Sequence, residues 1–183
     1  MDTLMAHARR GDEQALNELY DMSRTRVFRL ALALLGDPGA AEEVMQDSLW
    51  YALTHLHQFD AARSAWSTWV HTITVGRCRN YARRRRWMIV PLLHSLMTDG
   101  LSPNQLAEIR ERTGALHAML LRLSPKLREA VALRFLEELS FAEMGSILGC
   151  SDRTAQSRVR VGIERLRAMV EADAGLLSLL EAR

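Results

Sequence analysis

Four consecutive arginines, Arg83 to Arg86, stand between Tyr81 and Trp87 in the stretch NYARRRRW. Guanidinium groups keep their charge and grip phosphate oxygens through paired N–H donors. A run of them beside aromatic rings therefore suits a nucleic-acid strand whose backbone follows the charge while its bases lie against the rings. Between Ala61 and Trp87 there are also Arg63, Arg77 and Arg79, and no acid. A second basic concentration, Arg153, Arg158, Arg160, Arg165 and Arg167, is relieved only by Glu164, whereas Asp37, Glu42, Glu43, Asp47 and Asp60 fall in a segment without Lys or Arg. The formal net charge is only +2, so charge is segregated by segment, the electrostatic footprint of polyanion binding.

Other chemistry is poorly served. Cys78 and Cys150 lie far apart without a C-x-x-C companion, and the six histidines are scattered. His55 and His57, two apart on an expected helix, point in different directions, so no metal site or structural disulfide is expected. Neither a nucleophile with an adjacent base nor a phosphate loop is found, and the chain is not expected to be an enzyme or to carry a cofactor. No apolar run reaches the roughly 18 residues of a membrane span, and the first residues lack the features of a signal peptide; no membrane insertion is expected and a cytoplasmic location is.

The elements that must carry these residues read as helices throughout. Asp12 caps a helix from Glu13 to about Leu35, preceded by a short helix before Gly11, and Gly36–Asp37–Pro38 ends it and starts another that runs to about His57. Ser64 is placed to cap a third from Ala65 through the arginine run. Pro91, Gly100, Pro103 and Gly114 then punctuate a linker, whose apolar MIVPLLHSLM either folds back on a domain or docks in a partner. Beyond it, Ser124–Pro125 opens a helix through Phe135, Ser140 to Glu143 forms a capping box for a short helix to Leu148, Gly149 ends that helix, and Ser151 caps a longer one to about Val170. The fold class is all-α: two small helical domains, residues 1–87 and 114–172, joined by a linker at 88–113 and followed by a tail at 173–183.

The segment from Leu139 to Arg167 has a helix-turn-helix layout. On its second helix Ala155, Val159, Gly162 and Leu166 form one stripe, small and apolar enough to pack on Met144, Ile147 and Leu148. Arg153, Ser157, Arg160 and Glu164 face away, flanked by Thr154, Gln156 and Arg158, able to span guanine edges or clamp phosphates in a major groove. That layout alone fits a repressor as well as any other reader of duplex DNA.

On the Pro38 helix, Ala41, Val44, Ser48, Leu49, Ala52 and Leu56 form the inward stripe, while Glu43, Gln46, Asp47 and Trp50 share another face. An exposed tryptophan among carboxylates fits a basic protein partner; the alternative is a solvated surface. On the next helix Trp66, Trp69, Val70 and Ile73 form the buried end, and Arg79, Arg83 and Arg86 share a face flanked by Arg84 and Tyr81. Phe59, Arg63 and Trp66 are placed to wall a pocket for an unstacked base, with Trp66 as core the competing reading.

Taken in order, AEEVMQDSLWYAL from Ala41, AWSTWVHTI from Ala65 with the arginine run, and LRLSPKLREAVALRFLEELSFAEMGSILGCSDRTAQSRV from Leu121 resemble the extracytoplasmic-function (ECF) sigma factors, the minimal sigma-70 form that keeps regions two and four. The resemblance implies binding to core RNA polymerase through Glu43, Gln46, Asp47 and Trp50, Gln46 and Asp47 matching the positions that contact the clamp helices of its largest subunit, with the beta flap as a further polymerase contact. It implies melting and capture of a −10 promoter element by Phe59, Arg63, Trp66, Arg79, Asn80, Arg83, Arg84 and Arg86. Duplex reading of a −35 element falls to Arg153, Thr154, Gln156, Ser157, Arg158 and Arg160, and an anti-sigma factor is an expected regulator. Trp66 stands where the family usually has phenylalanine, Gly76 where it has asparagine and Asn80 where it has aspartate. Gln156 and Val161 replace common basic residues, so an atypical −35 preference is expected.

Overall fold

The computed structural model describes residues 1–85, 114 and 117–172. The expected linker, Arg86 and the tail lie outside them. Among the described residues there is no strand. The elements are α1 (Asp2–Arg9), α2 (Glu13–Leu35), α3 (Pro38–Thr54), a 3-10 turn (Leu56–Gln58) and α4 (Trp66–Arg85). They are followed by a helical stretch at 117–122 and by α5 (Pro125–Phe135), α6 (Phe141–Leu148) and α7 (Asp152–Glu171).

Most boundaries follow from local chemistry. Asp12 accepts from the Ala15 N–H at 3.0 Å and Asp37 from the Ala40 N–H at 2.7 Å, each satisfying a donor that the first helical turn leaves free. Gly36 closes α2 at φ +76°, a left-handed conformation that glycine adopts without penalty. Its missing side chain has a second use, because a Cβ here would collide with the Leu121 side chain from the C-terminal half. The capping box at Ser140 and Glu143 is complete, and Ser151 accepts from the Thr154 N–H at 3.2 Å. Three expectations need correction. Helix α3 stops at Thr54, and the chain then tightens into the 3-10 turn; with the helix broken, the His55 and His57 rings come within 5.8 Å of each other. Helix α4 begins at Trp66, with the Ala65 carbonyl taking its first bond from the Trp69 N–H, so Ser64 stands one residue outside the cap. Ser124 occupies the cap position of α5 but makes no side-chain cap bond.

Three apolar clusters hold these helices. One lies within the N-terminal half around Leu19, Val27, Leu49 and Val70, and another within the C-terminal half around Leu123, Leu127, Val131 and Leu166. The third draws on both: Leu30, Ala31, Leu34, Val75 and Cys78 from α2 and α4 join Ala130, Leu133, Met144 and Ile147 from α5 and α6. Leu30 and Leu133 are fully buried in it. A buried leucine contributes about 1.5–3 kcal/mol, so this shared cluster is a substantial link between the two halves. Both cysteines, expected in separate domains, belong to it as free thiols, Cys78 buried inside and Cys150 half-buried against it.

Candidate functional site

Three surfaces carry the residues singled out from the sequence. On α3 the inward stripe is buried as expected: Ala41, Ser48, Leu49 and Ala52 are inaccessible, and the Ser48 hydroxyl is satisfied by donating to the Val44 carbonyl at 2.6 Å. Glu43, Gln46, Asp47 and Trp50 all face solvent, and the Trp50 indole is 73% exposed. Among the described residues it is the most exposed of the large apolar side chains, ahead of Met1, Phe135 and Met22. Arg77 of α4 was not among the expected site residues, yet its guanidinium lies 5.2 Å from the Tyr51 ring centroid and 3.1 Å from Asp47. It fixes one edge of the acidic face, and its place in an otherwise acid-free arginine segment was the signal available.

The helix-turn-helix is built from α6 and α7. Gly145 permits the tight crossing, because a Cβ there would sit 2.8 Å from the Cys150 carbonyl oxygen, and Gly149 turns the chain at φ +67°. Ala155, Val159, Gly162 and Leu166 are buried as expected, with one refinement. Ala155 and Val159 share a cluster with Met144, Ile147 and Leu148 of α6, whereas Gly162 and Leu166 pack on Val131 and Leu127 of α5. The opposite face is open: Arg153, Gln156, Ser157 and Arg160 are exposed, and Thr154 and Arg158 are half-buried on its flanks. Arg160 is paired to Glu164 at 2.8 Å, a surface contact easily exchanged for a phosphate.

The third surface departs most from expectation. Phe59 and Trp66 are buried, with rings edge to face at a centroid distance of 5.5 Å, and the Trp66 indole N–H donates to the Ser23 hydroxyl at 2.9 Å. Trp66 is thus foremost a core residue. Both rings nevertheless border a cleft of about 900 Å³ between α1, α2 and the loop before α4, lined also by Arg9, Arg26 and Asp60. Arg63 does not line this cleft and stands exposed beside the loop. Trp69 and Ile73, expected to be buried, are only half so; the buried side of α4 runs instead through Thr68, Val70, His71, Thr74, Val75 and Cys78.

Along that side the C-terminal half meets α4. Arg79, expected to face nucleic acid, forms a fork-to-fork pair with the buried Glu129 of α5, Nε to Oε1 at 2.8 Å and Nη2 to Oε2 at 2.7 Å. The carboxylate raises the pKa of the Arg79 guanidinium above its ordinary value. Burial, with the Glu129 charge adding to it, pushes the neighbouring Cys78 thiol up to about 12. Asn80, Arg83 and Arg84 remain exposed, and Arg83 donates to the Asn80 side chain at 3.2 Å. Arg86 lies outside the described residues. No group of three or more metal-ligating side chains occurs among the described residues.

Comparison with known proteins adds to this geometry. The family profile described as "Sigma-70 region 2" matches residues 19–88, and that described as "Sigma-70, region 4" matches residues 113–166. The chain is 24% identical to the ECF RNA polymerase sigma factor SigW of Bacillus subtilis over 87% of its own length and 90% of that protein's. It is 27% identical to the ECF RNA polymerase sigma factor SigM of the same organism, over 84% and 94% respectively. Its fold is similar to that of CnrH, solved in complex with the cytosolic domain of CnrY, with a TM-score of 0.73, 21% identity and 94% and 97% of the two chains covered. The fold of the sigma factor RpoE from Bartonella quintana, solved with the anti-sigma factor NepR, is also similar, with a TM-score of 0.66, 23% identity and 88% and 97% covered.

Proposed function

Because the chain belongs to the sigma-70 family, as an ECF-type sigma factor that directs promoter-specific transcription with core RNA polymerase, we propose a division of that task among its surfaces. Glu43, Gln46, Asp47 and Trp50 bind core polymerase, with the clamp helices of the largest subunit as the contact. The open α7 face reads the −35 element as duplex, Arg153 and Arg160 engaging base edges or phosphates. Asn80, Arg83, Arg84 and Arg86, with Arg79 once released from Glu129, hold the displaced strand of the −10 element. The cleft bordered by Phe59 and Trp66 takes a flipped base, and Arg63, exposed on the loop before α4, meets the strand's backbone. Residues 1–87 and 114–172 act as the two working domains, with 88–113 as linker and 173–183 as tail.

The observation that carries this reading is the presence in one chain of an exposed Trp50 among carboxylates and, on a separate face, a helix-turn-helix with an arginine-bearing outer surface. A duplex-binding repressor needs the second and has no use for the first. The family consists of transcription initiation factors, and bond making belongs to the polymerase. Among the described residues no helix is long and apolar enough to cross a membrane, which fits a cytoplasmic site of action. An anti-sigma factor is a further partner, as for the RpoE structure above, and the beta flap is the second polymerase contact.

Reconstitution with core polymerase on a promoter fragment tests the scheme. Run-off RNA is expected with the chain present, and tight duplex binding without polymerase dependence is the result that defeats it. Replacing Arg83, Arg84 and Arg86 with alanine should weaken open-complex formation more than polymerase binding, and replacing Gln46 and Asp47 should do the reverse.

A further inference from the structure

The cleft beside Phe59 and Trp66 is larger than a single base. At about 900 Å³ it lies near the top of the range for pockets that enclose whole drug-sized ligands. In so wide a cleft, telling one base from another depends on where the walls stand, and therefore on what holds them. One wall comes from outside the elements that carry the other site residues. Asp2, Met5, Ala6 and Arg9 of α1 line it, and α1 lies ahead of residue 19, where the match to region 2 begins. A helix of eight residues has little stability of its own. It is held by packing: Met5 and Ala8 are buried in the same apolar cluster as Phe59 and Trp66.

From its last turn α1 also reaches across to the loop before α4. The Arg9 guanidinium donates from Nη2 to the Phe59 carbonyl at 2.5 Å, fifty positions along the chain. Phe59 is where the chain leaves the 3-10 turn for extended backbone, φ −77° and ψ 125°, so its carbonyl stands outside any helical ladder. Beyond it Asp60 folds the loop on itself. Its Oδ1 accepts from the Ala62 N–H at 2.9 Å, and its carbonyl from the Arg63 and Ser64 N–H groups at 3.1 and 3.3 Å. Such a turn keeps its own shape, and its place depends on its two ends. The far end is fixed by the Trp66 indole on the Ser23 hydroxyl of α2. At the near end the Phe59 ring is sunk in the core, and the peptide that leaves it is braced by Arg9 through a charge-assisted bond.

We infer that Arg9 is a positioning residue for base capture: by bracing the Phe59 peptide it sets the gap between the α1 wall and the capture loop, and with it how sharply the cleft tells one base from another. This rests on the assignment of the cleft to a flipped base made above. Arg9 acts through Phe59 and not by touching the strand, so it governs selectivity and adds nothing to the electrostatic grip on phosphates. A hydrogen bond that involves a charged group shifts an equilibrium by about tenfold, which sets the size of effect expected when the brace is cut.

Hydrogen-exchange mass spectrometry of the full chain reads the brace without reference to DNA. In Arg9→Ala, peptides covering residues 59–66 should exchange about three- to tenfold faster while those of α3 stay unchanged, and Arg9→Lys, which keeps a charged donor, should restore much of the protection. Capture is read in the holoenzyme, with core polymerase and promoter fragments that carry each of the four bases at every non-template position of the −10 element in turn. At the position where the wild type discriminates most, the ratio of best to worst base should shrink about three- to tenfold in Arg9→Ala and recover in Arg9→Lys. Polymerase affinity, and the slope of promoter affinity against salt, should stay the same. Unchanged exchange in the loop overturns the inference, and so does an unchanged ratio. A salt slope smaller by about one phosphate overturns it too, because Arg9 would then be a direct contact to the strand's backbone. A wild-type holoenzyme with no base preference at any of these positions strikes instead at the assignment of the cleft, and leaves the exchange comparison to decide the brace by itself.

Discussion

The two surfaces assigned to promoter DNA are held in opposite ways. Helix α7 presents Arg153, Ser157 and Arg160 to solvent on a helix whose other side is wedged against α5 and α6, so its reading face is ready as folded. Helix α4 has its exposed arginines at one end and, along its length, a polar side engaged by glutamates from the other half of the chain. The difference teaches that arginine content alone does not make a surface available. What matters is whether a guanidinium stands exposed, as for Arg153, or is forked onto a buried carboxylate, as for Arg79.

The comparison breaks most severely if the scaffold under α4 is removed. Trp66→Ala empties a buried aromatic site and orphans the Ser23 contact, and should lower stability by about 3–5 kcal/mol in thermal or urea melts. Trp66→Phe should lose far less, separating packing from any part in base capture. Under α7, Gly162→Val places a side chain against Val131, where a Cβ would already lie 2.5 Å from Cγ2, and should cost about 1–3 kcal/mol with a matching loss of duplex binding. Arg153→Ala sharpens the contrast: duplex affinity should fall by about 1–3 kcal/mol in a gel-shift titration if the guanidinium reads a base, with the melting temperature unmoved.

The smallest effect is expected at the capping box. Ser140→Ala should cost about 1 kcal/mol, measured by urea titration. The Ser140 hydroxyl, and after it the Ser140 N–H, hold the Glu143 carboxyl below its ordinary 4.5. Its contribution is therefore present in full above that value and lost as pH falls through the lower folded-state value. The gap in stability between wild type and Ser140→Ala should narrow on acidification through that window and keep the share due to the Glu143 N–H bond to the hydroxyl.

Local signals made much of this molecule legible. Asp12, Asp37, Ser140 and Ser151 are short acceptors placed before helical runs, and each makes the side-chain bond its position foretells. The α3 stripe and the α7 stripe obey the helical period because their partners are ordinary apolar cores. The buried side of α4 does not. Nothing in the sequence around Thr68 and His71 signals their burial, because the groups that meet them, Glu143 and Glu137, lie tens of positions away. Thr74, by contrast, resolves its need locally, donating to the Val70 carbonyl at 2.9 Å. Arg79 was legible as a cation and illegible as a clasp, since nothing adjacent in sequence points to Glu129. The exposure of the residues singled out on α3 and α7 follows from helical face, whereas the part played by Gly145 emerges only from the way the helices cross.

Cys78 offers a use of its own. Its sulfur is shut away in the cluster common to both halves, beside the Glu129 charge, whereas Cys150 is partly accessible. Prising the halves apart would strip that shelter, let the thiol ionise nearer its ordinary 9.0 and expose it to alkylation. Maleimide uptake at this native atom, scored against Cys150 as an internal clock, would time each excursion of the chain in a test tube or a living cell without any dye or engineered label.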